Sequence, residues 1–277
     1  MSKLLIFVTY SLILSLAGCS SVAIYPVYKD TVKVSISAEA LSSWSEVPAG
    51  ASLVEDSQVI VTGRGGTNEL PILLGIVGIA IQKGLNSSSI SDAKQNYKIK
   101  FDSEFYEAFQ RNSSRQPYAS RYKFSILKSN KLEDIWLRPA AWFLIKDNSQ
   151  AFLLFQVVAR FIDESGNKHS KMYWSRNEIL PLSGSGGWSD DNAKLFKQAT
   201  SRSLERIAQV ILLDMVGECS KEGQYDKQPQ IQWKPLDEDK PIKSNLLCEQ
   251  PDYFVTNMWG NSVVVVDRVL EPIISKN

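Results

Sequence analysis

Few residues in this chain could do chemistry. The one histidine, His169, lies between Lys168 and Lys171 beside a turn. That setting reads as a solvated strand residue and not as a general base. Acids occur together as Glu133 with Asp134, Asp190 with Asp191, and Asp237, Glu238 and Asp239. Two carboxylates that flank a glycosidic bond can hydrolyse it, but adjacent acids on exposed stretches read as solvated charge. The Gly-rich stretch 183–187 precedes Ser189, and helix N-termini bind anions. Asp190 and Asp191 already occupy that positive end, and no lysine follows in phosphate-loop spacing. A capping loop is the better reading. Neither a G-x-S-x-G nor an H-x-x-E-H signature is present. Two thiols and one distant imidazole do not complete a zinc shell. The expectation is no enzyme, no cofactor and no metal. The seven tryptophans are more suggestive. Trp136, Trp142 and Trp174 fall in strand-like segments, whereas Trp188, Trp233 and Trp259 fall in loops. Aromatic faces stack on sugars and anchor protein interfaces. Loop tryptophans serve equally as lids pinned over a core, so a ligand-binding role for Trp188, Trp233 and Trp259 stands beside that reading.

The N-terminus carries the most specific signal. Lys3 precedes an apolar run over residues 4–16, followed by Leu16-Ala17-Gly18-Cys19. The run has the length of a signal-peptide core and is short for a membrane span. Charge, apolar core and box, in that order, resemble the lipobox signal peptide of bacterial lipoproteins. The resemblance implies cleavage before Cys19, lipidation of its sulfur and acylation of the new amine. Several acyl chains, at about 0.8 kcal/mol per buried methylene, anchor a protein stably. Ser20 stands where such lipoproteins commonly carry Asp for inner-membrane retention, which implies the outer membrane.

With Cys19 assigned in this way, Cys219 and Cys248 remain. Disulfides persist in exported proteins, and these two flank a polar, proline-bearing stretch. They read as a staple. Closing a loop of that size stabilises by about 3.5 kcal/mol in the chain-entropy model.

The charge balance limits partners. The chain of 277 residues has 31 Lys and Arg against 30 Asp and Glu. A nucleic-acid binder needs a basic excess to neutralise phosphates, so that class is excluded. Removing residues 1–18 takes away Lys3 and no acid, which brings the formal charge to zero. Attachment to a membrane must then come from acyl chains on Cys19 and not from basic attraction to anionic lipid.

Elements follow from hydrophobic period. Val32, Val34 and Ile36 alternate with Lys33 and Ser35, and residues 58–62 form a second strand signal. Phe101, Phe105 and Phe109 recur at helical spacing behind Asp102, a plausible N-cap. Residues 122–126, 135–145, 151–163 and 169–176 read as a meander of three or four antiparallel strands. Ala151, Leu153, Phe155, Val157, Ala159 and Phe161 form one wholly apolar face. Behind Ser189 as N-cap, residues 190–216 predict one long amphipathic helix. Phe196, Ala199, Ser203, Leu204, Ile207, Val210, Ile211 and Met215 fall on its inner side. Residues 262–267 read as a late strand at the sheet edge.

One stretch fits two readings. Leu70, Ile72, Leu73, Leu74, Ile76, Val77, Ile79 and Ile81 make a run that as a helix reaches about 18 Å, too short for a bilayer. It reads as a buried core element, or as an exposed one facing the membrane or a partner subunit.

The expected fold is α+β: an antiparallel sheet with one long and one or two shorter helices packed on one face. Residues 1–18 are the expected signal peptide, 19–30 a lipidated tether, 31–217 the domain, and 218–277 a disulfide-stapled C-terminal extension. The layout looks like several assembly-accessory lipoproteins. The expected function is a non-enzymatic, periplasm-facing domain that binds another envelope protein or itself. A glycan- or peptidoglycan-binding module is the alternative.

Overall fold

The computed structural model describes residues 23–39, 51–53, 57–63, 100–115, 117–146, 150–219, 229–233, 242–257 and 262–268. Among them are β1 (Val32–Ile36), β2 (Ala51–Leu53), β3 (Val59–Gly63), α1 (Asp102–Ser113), the short α2 (Tyr118–Arg121) and β4 (Phe124–Lys128). There follow β5 (Ile135–Ile145), β6 (Gln150–Ile162), β7 (Lys168–Pro181), α3 (Asp190–Met215), β8 (Gln230–Trp233), β9 (Ile242–Glu249), β10 (Tyr253–Asn257) and β11 (Ser262–Asp267).

The antiparallel meander forms where the alternation placed it. β5 pairs β6 along its whole length, from Ile135 opposite Phe161 to Ile145 opposite Ala151. β6 pairs β7 from Ile162 opposite Lys168 to Gln150 opposite Pro181, with a register shift between Phe152 and Leu154. The complete sheet corrects the expected α+β architecture. It is mixed, and it dominates the molecule, with eleven strands in one hydrogen-bonded set against three helices among the described residues. β1 runs parallel to β4 and β5, β3 parallel to β5, and β11 parallel to β7. The long helix is one cause. α3 carries the chain back along β7, so a later strand can run beside β7 in the same direction. Hence β11 lies inside the sheet between β7 and β10, and not at its edge. Residues 242–267, expected as an extension, supply three strands to the same sheet.

The helices cover one sheet face. The apolar stripe of β6 is fully buried there, together with Phe101, Phe105 and Phe109 and the whole predicted inner side of α3. Arg111 and Asn112 of α1 both bond Glu205 of α3. Arg206 of α3 bonds Asp267 of β11 at 2.8 Å. Gln58 joins three segments, donating to the Ser37 carbonyl and accepting from the Phe101 N–H. The opposite face holds smaller apolar clusters, around Ile60, Ala140 and Trp142 and around Ile231, Phe254 and Val264.

Both helix starts differ from expectation. Neither Asp102 nor Ser189 caps with its side chain, since Asp102 is already the first helical residue of α1. Asp190 instead accepts from the Gly186 N–H at 2.7 Å, which ties the Gly-rich loop to the start of α3. Residues 191–193 then pass through left-handed backbone before the regular helix, with Ala193 at φ 55°. Each such residue costs roughly 1–2 kcal/mol.

Cys219, just past α3, is bonded to Cys248 of β9, with a Cα separation of 5.0 Å. The staple therefore joins the end of the long helix to the far strands of the sheet. Replacing both cysteines by Ser is expected to lower unfolding stability by about 3.5 kcal/mol. Urea titration checks this, and an unchanged midpoint would show that the helix and these strands hold together without the bridge.

Candidate functional site

Register gives the molecule two ends. β6 is about 40 Å long at 3.3 Å per residue, and α3 matches it at about 39 Å. The β6–β7 turn, the end of α3, α2 and the start of the described chain share one end. The Gly-rich loop before α3 and the start of β6 share the other.

The chemically richest cluster sits at the first end. Lys171 of β7 and Asp214 of α3 form an ion pair at 2.5 Å, with side chains 0% and 2% exposed. Tyr173, two residues along β7 on the same face, donates to the same Asp214 oxygen. Its hydroxyl also lies 3.1 Å from that of Tyr25. The Tyr25 ring stacks on Phe161, and the opposite side of this aromatic group is closed by His169 on Phe161. Burial pushes both tyrosines well above their ordinary range, and the Asp214 carboxylate adds to it. They stay neutral, with Tyr173 the donor to Asp214. A carboxylate near a helix C-terminus opposes the helix dipole. Asp214 is held there by the lysine and the tyrosine.

A cleft of about 410 Å³ opens beside this cluster, lined by Tyr25, Tyr28, Tyr122, Arg121, Asp214 and Met215 among others. Arg121 donates to the Val216 carbonyl at the end of α3. Burial raises the pKa of Tyr28, and its hydroxyl is enclosed without a hydrogen-bond partner. A second cleft, of about 420 Å³, lies on the other side of Tyr122, between α1 and β4.

The residues singled out from sequence are scattered. Cys219 and Cys248 form the expected bridge. Cys19, Trp259 and the run Leu70, Ile72, Leu73, Leu74, Ile76, Val77, Ile79 and Ile81 lie outside the described residues. Trp233 ends β8. Trp188 is 2% exposed and donates to the Ala151 carbonyl, so its ring plugs the far end of the core. The strand tryptophans are the ones brought together. Trp142 and Trp174 meet edge to face on the helix-free side of the sheet, and Trp136 lies there between Arg138 and Arg160. Asp134 and Asp190 stand at opposite ends, so these acids do not converge. His169 bonds Asp163 across the β6–β7 turn at 2.7 Å. No group of three metal-ligating side chains occurs among the described residues, and none of their helices is long and apolar enough to cross a membrane.

Lys171, Tyr173 and Asp214 did not emerge from the sequence as a site. One signal was available: Asp214 interrupts the apolar run Val210 to Val216.

Neither a family model nor a curated protein matches this chain. A solved structure from Caulobacter crescentus CB15, provisionally described as a lipoprotein, aligns over 58% of this chain and 88% of its own, with 12% identity and a TM-score of 0.22. That likeness is too slight to carry fold or function across.

Lys171→Met leaves Asp214 buried without its cation and is expected to cost about 3–5 kcal/mol. Urea unfolding measures it, and a loss below about 1 kcal/mol would mean that water reaches the pair. The turn titrates separately. The His169 hydrogen bond, helped by the Asn167 N–H, lowers Asp163 from 3.8 to about 2. Its contribution is present above the unfolded value and is lost as pH falls through the folded one. Carboxyl NMR should show a midpoint near 2, moving upward in His169→Ala. An unchanged midpoint in that variant would remove the histidine as the cause.

Proposed function

We propose that this chain is a lipoprotein held at the periplasmic side of a bacterial outer membrane through acyl chains on Cys19, with a non-enzymatic domain that binds another envelope protein or a second copy of itself. The lipobox Leu16-Ala17-Gly18-Cys19 carries this reading. The start of the described chain supports it. Ala23 and Tyr25, in the segment expected as tether, belong to the core. The domain therefore begins almost at the cysteine, as suits a body held close to a membrane.

Two observations favour a non-enzymatic role. The single histidine is occupied in a turn with Asp163, and Lys171 is closed off from solvent. The glycan alternative gains nothing from Trp188, whose ring faces are covered by protein. A glycan platform would have to rest on Trp233 and Trp259.

The full chain expressed in a diderm bacterium should yield an N-terminal peptide beginning at Cys19 with the mass of a diacylglyceryl group and an amide-linked acyl chain. Cys19→Ser should leave the membrane fraction. An N-terminus retaining Met1, or cut elsewhere, would overturn the anchor. A protein that is monomeric and captures nothing in envelope crosslinking would overturn the binding role.

A further inference from the structure

Three observations at the first end of the molecule point the same way. The chain between Cys19 and the core is short. Ala23 is buried four residues after Cys19, and four extended residues span at most about 14 Å. Tyr25 is then fixed by its stacking on Phe161 and its contact with Tyr173. An acylated Cys19 thus leaves this end of the domain no room to leave the bilayer surface.

The second observation is where apolar side chains meet solvent. Among the described residues the exposed large hydrophobics are Val27, Leu127, Leu132 and Ile162, with Val27 at 72%. All four lie toward the first end. Ile162 is one residue past Phe161, which stacks on Tyr25. Leu127 pairs Ser35, which in turn pairs Trp136 at the start of β5. Leu132 lies between Lys131, whose carbonyl accepts from Ser35, and Asp134, which accepts from the Lys33 N–H. Single exposed hydrophobics are ordinary, but here they gather on the end that bears the attachment point. The other end closes its core with Trp188.

The third is the chemistry between them. Tyr28 and Tyr122 meet edge to face beside Val27, with Arg121 on the same cleft. The two hydroxyls turn into the protein, so their rings back Val27, while Arg121 is exposed and a long-stemmed arginine suits the headgroup layer.

We propose that this end is a membrane-docking surface, in which Val27, Arg121, Leu132 and Ile162 enter the lipid headgroup region and the direction of β6 and α3 stands away from the bilayer. The inference rests on the acylation of Cys19 proposed above and adds the face that the anchor presents to lipid. Lipid is the occupant because the acyl attachment lies within about 14 Å of the surface. The free end, with the Gly-rich loop and the start of α3, is then the part that reaches partners.

The test uses the acylated full chain in vesicles of phosphatidylethanolamine and phosphatidylglycerol. With Cys219 and Cys248 bridged and Cys19 acylated, an introduced cysteine is the free thiol for a nitroxide label. Val27→Cys reports the docking end and Ser185→Cys the far loop. Both positions are exposed, so neither substitution disturbs the core. On reconstitution, collisions of the Val27→Cys label with a water-soluble nickel chelate should fall several-fold and its collisions with oxygen should rise. The Ser185→Cys label should not change. Mass spectrometry of the same sample separates the two claims. Acylated protein whose two labels stay equally open to the chelate overturns the docking surface alone. Protein without acyl chains on Cys19 overturns the anchor, and the docking surface with it.

Discussion

The Asp214 carboxylate sits where a negative charge is least welcome, in the last turn of α3 and out of water. An isolated buried charge of this kind costs several kcal/mol. Lys171 and Tyr173 offset that cost, and in doing so they fix three things at once. They set which face of β7 turns toward the helices. They set how far α3 runs along the sheet. Through Tyr173 they also hold Tyr25, so the first described residues become core and not leash. The geometry of this end follows from one ion pair.

The remaining architecture reinforces that end. Cys219 follows α3 directly, and its bridge to Cys248 ties the helix end to β9. Arg121 bonds the Val216 carbonyl, which attaches α2 to the same place. Arg206 and Asp267 join the middle of α3 to β11. α3 and β6, each about 40 Å long, are thus fastened together repeatedly near one end.

Much of this was legible from hydrophobic period. The β6 stripe and the α3 face are buried as their spacing predicted, because an apolar face that strong has one way to turn. β7 shows where period fails. One of its faces offers Lys171, Tyr173, Ser175 and Asn177, the other Met172, Trp174 and Arg176. Hydropathy alone favours Met172 and Trp174 inward. The structure turns Lys171 and Tyr173 toward the helices because Asp214 waits there, and it leaves Trp174 beside Trp142 on the other face. A partner 43 positions away in sequence decided the matter. The parallel pairing of β11 with β7 was equally hidden, since a strand's apolar run does not record its neighbour or direction. Trp188 resembled a loop platform because its cover, the Ala151 end of β6, is remote in sequence.

The central claim is that residues 23–28, just after the proposed lipid attachment site, are part of the folded core. Equilibrium urea unfolding of Tyr25→Ala tests it most directly, because that change removes the stacked ring and the hydroxyl contact and leaves the Lys171–Asp214 pair in place. The account predicts a loss of about 3–5 kcal/mol, the range for an aromatic side chain removed from a core. An unfolding midpoint equal to that of the unaltered chain would contradict it and would make residues 23–28 a leash after all.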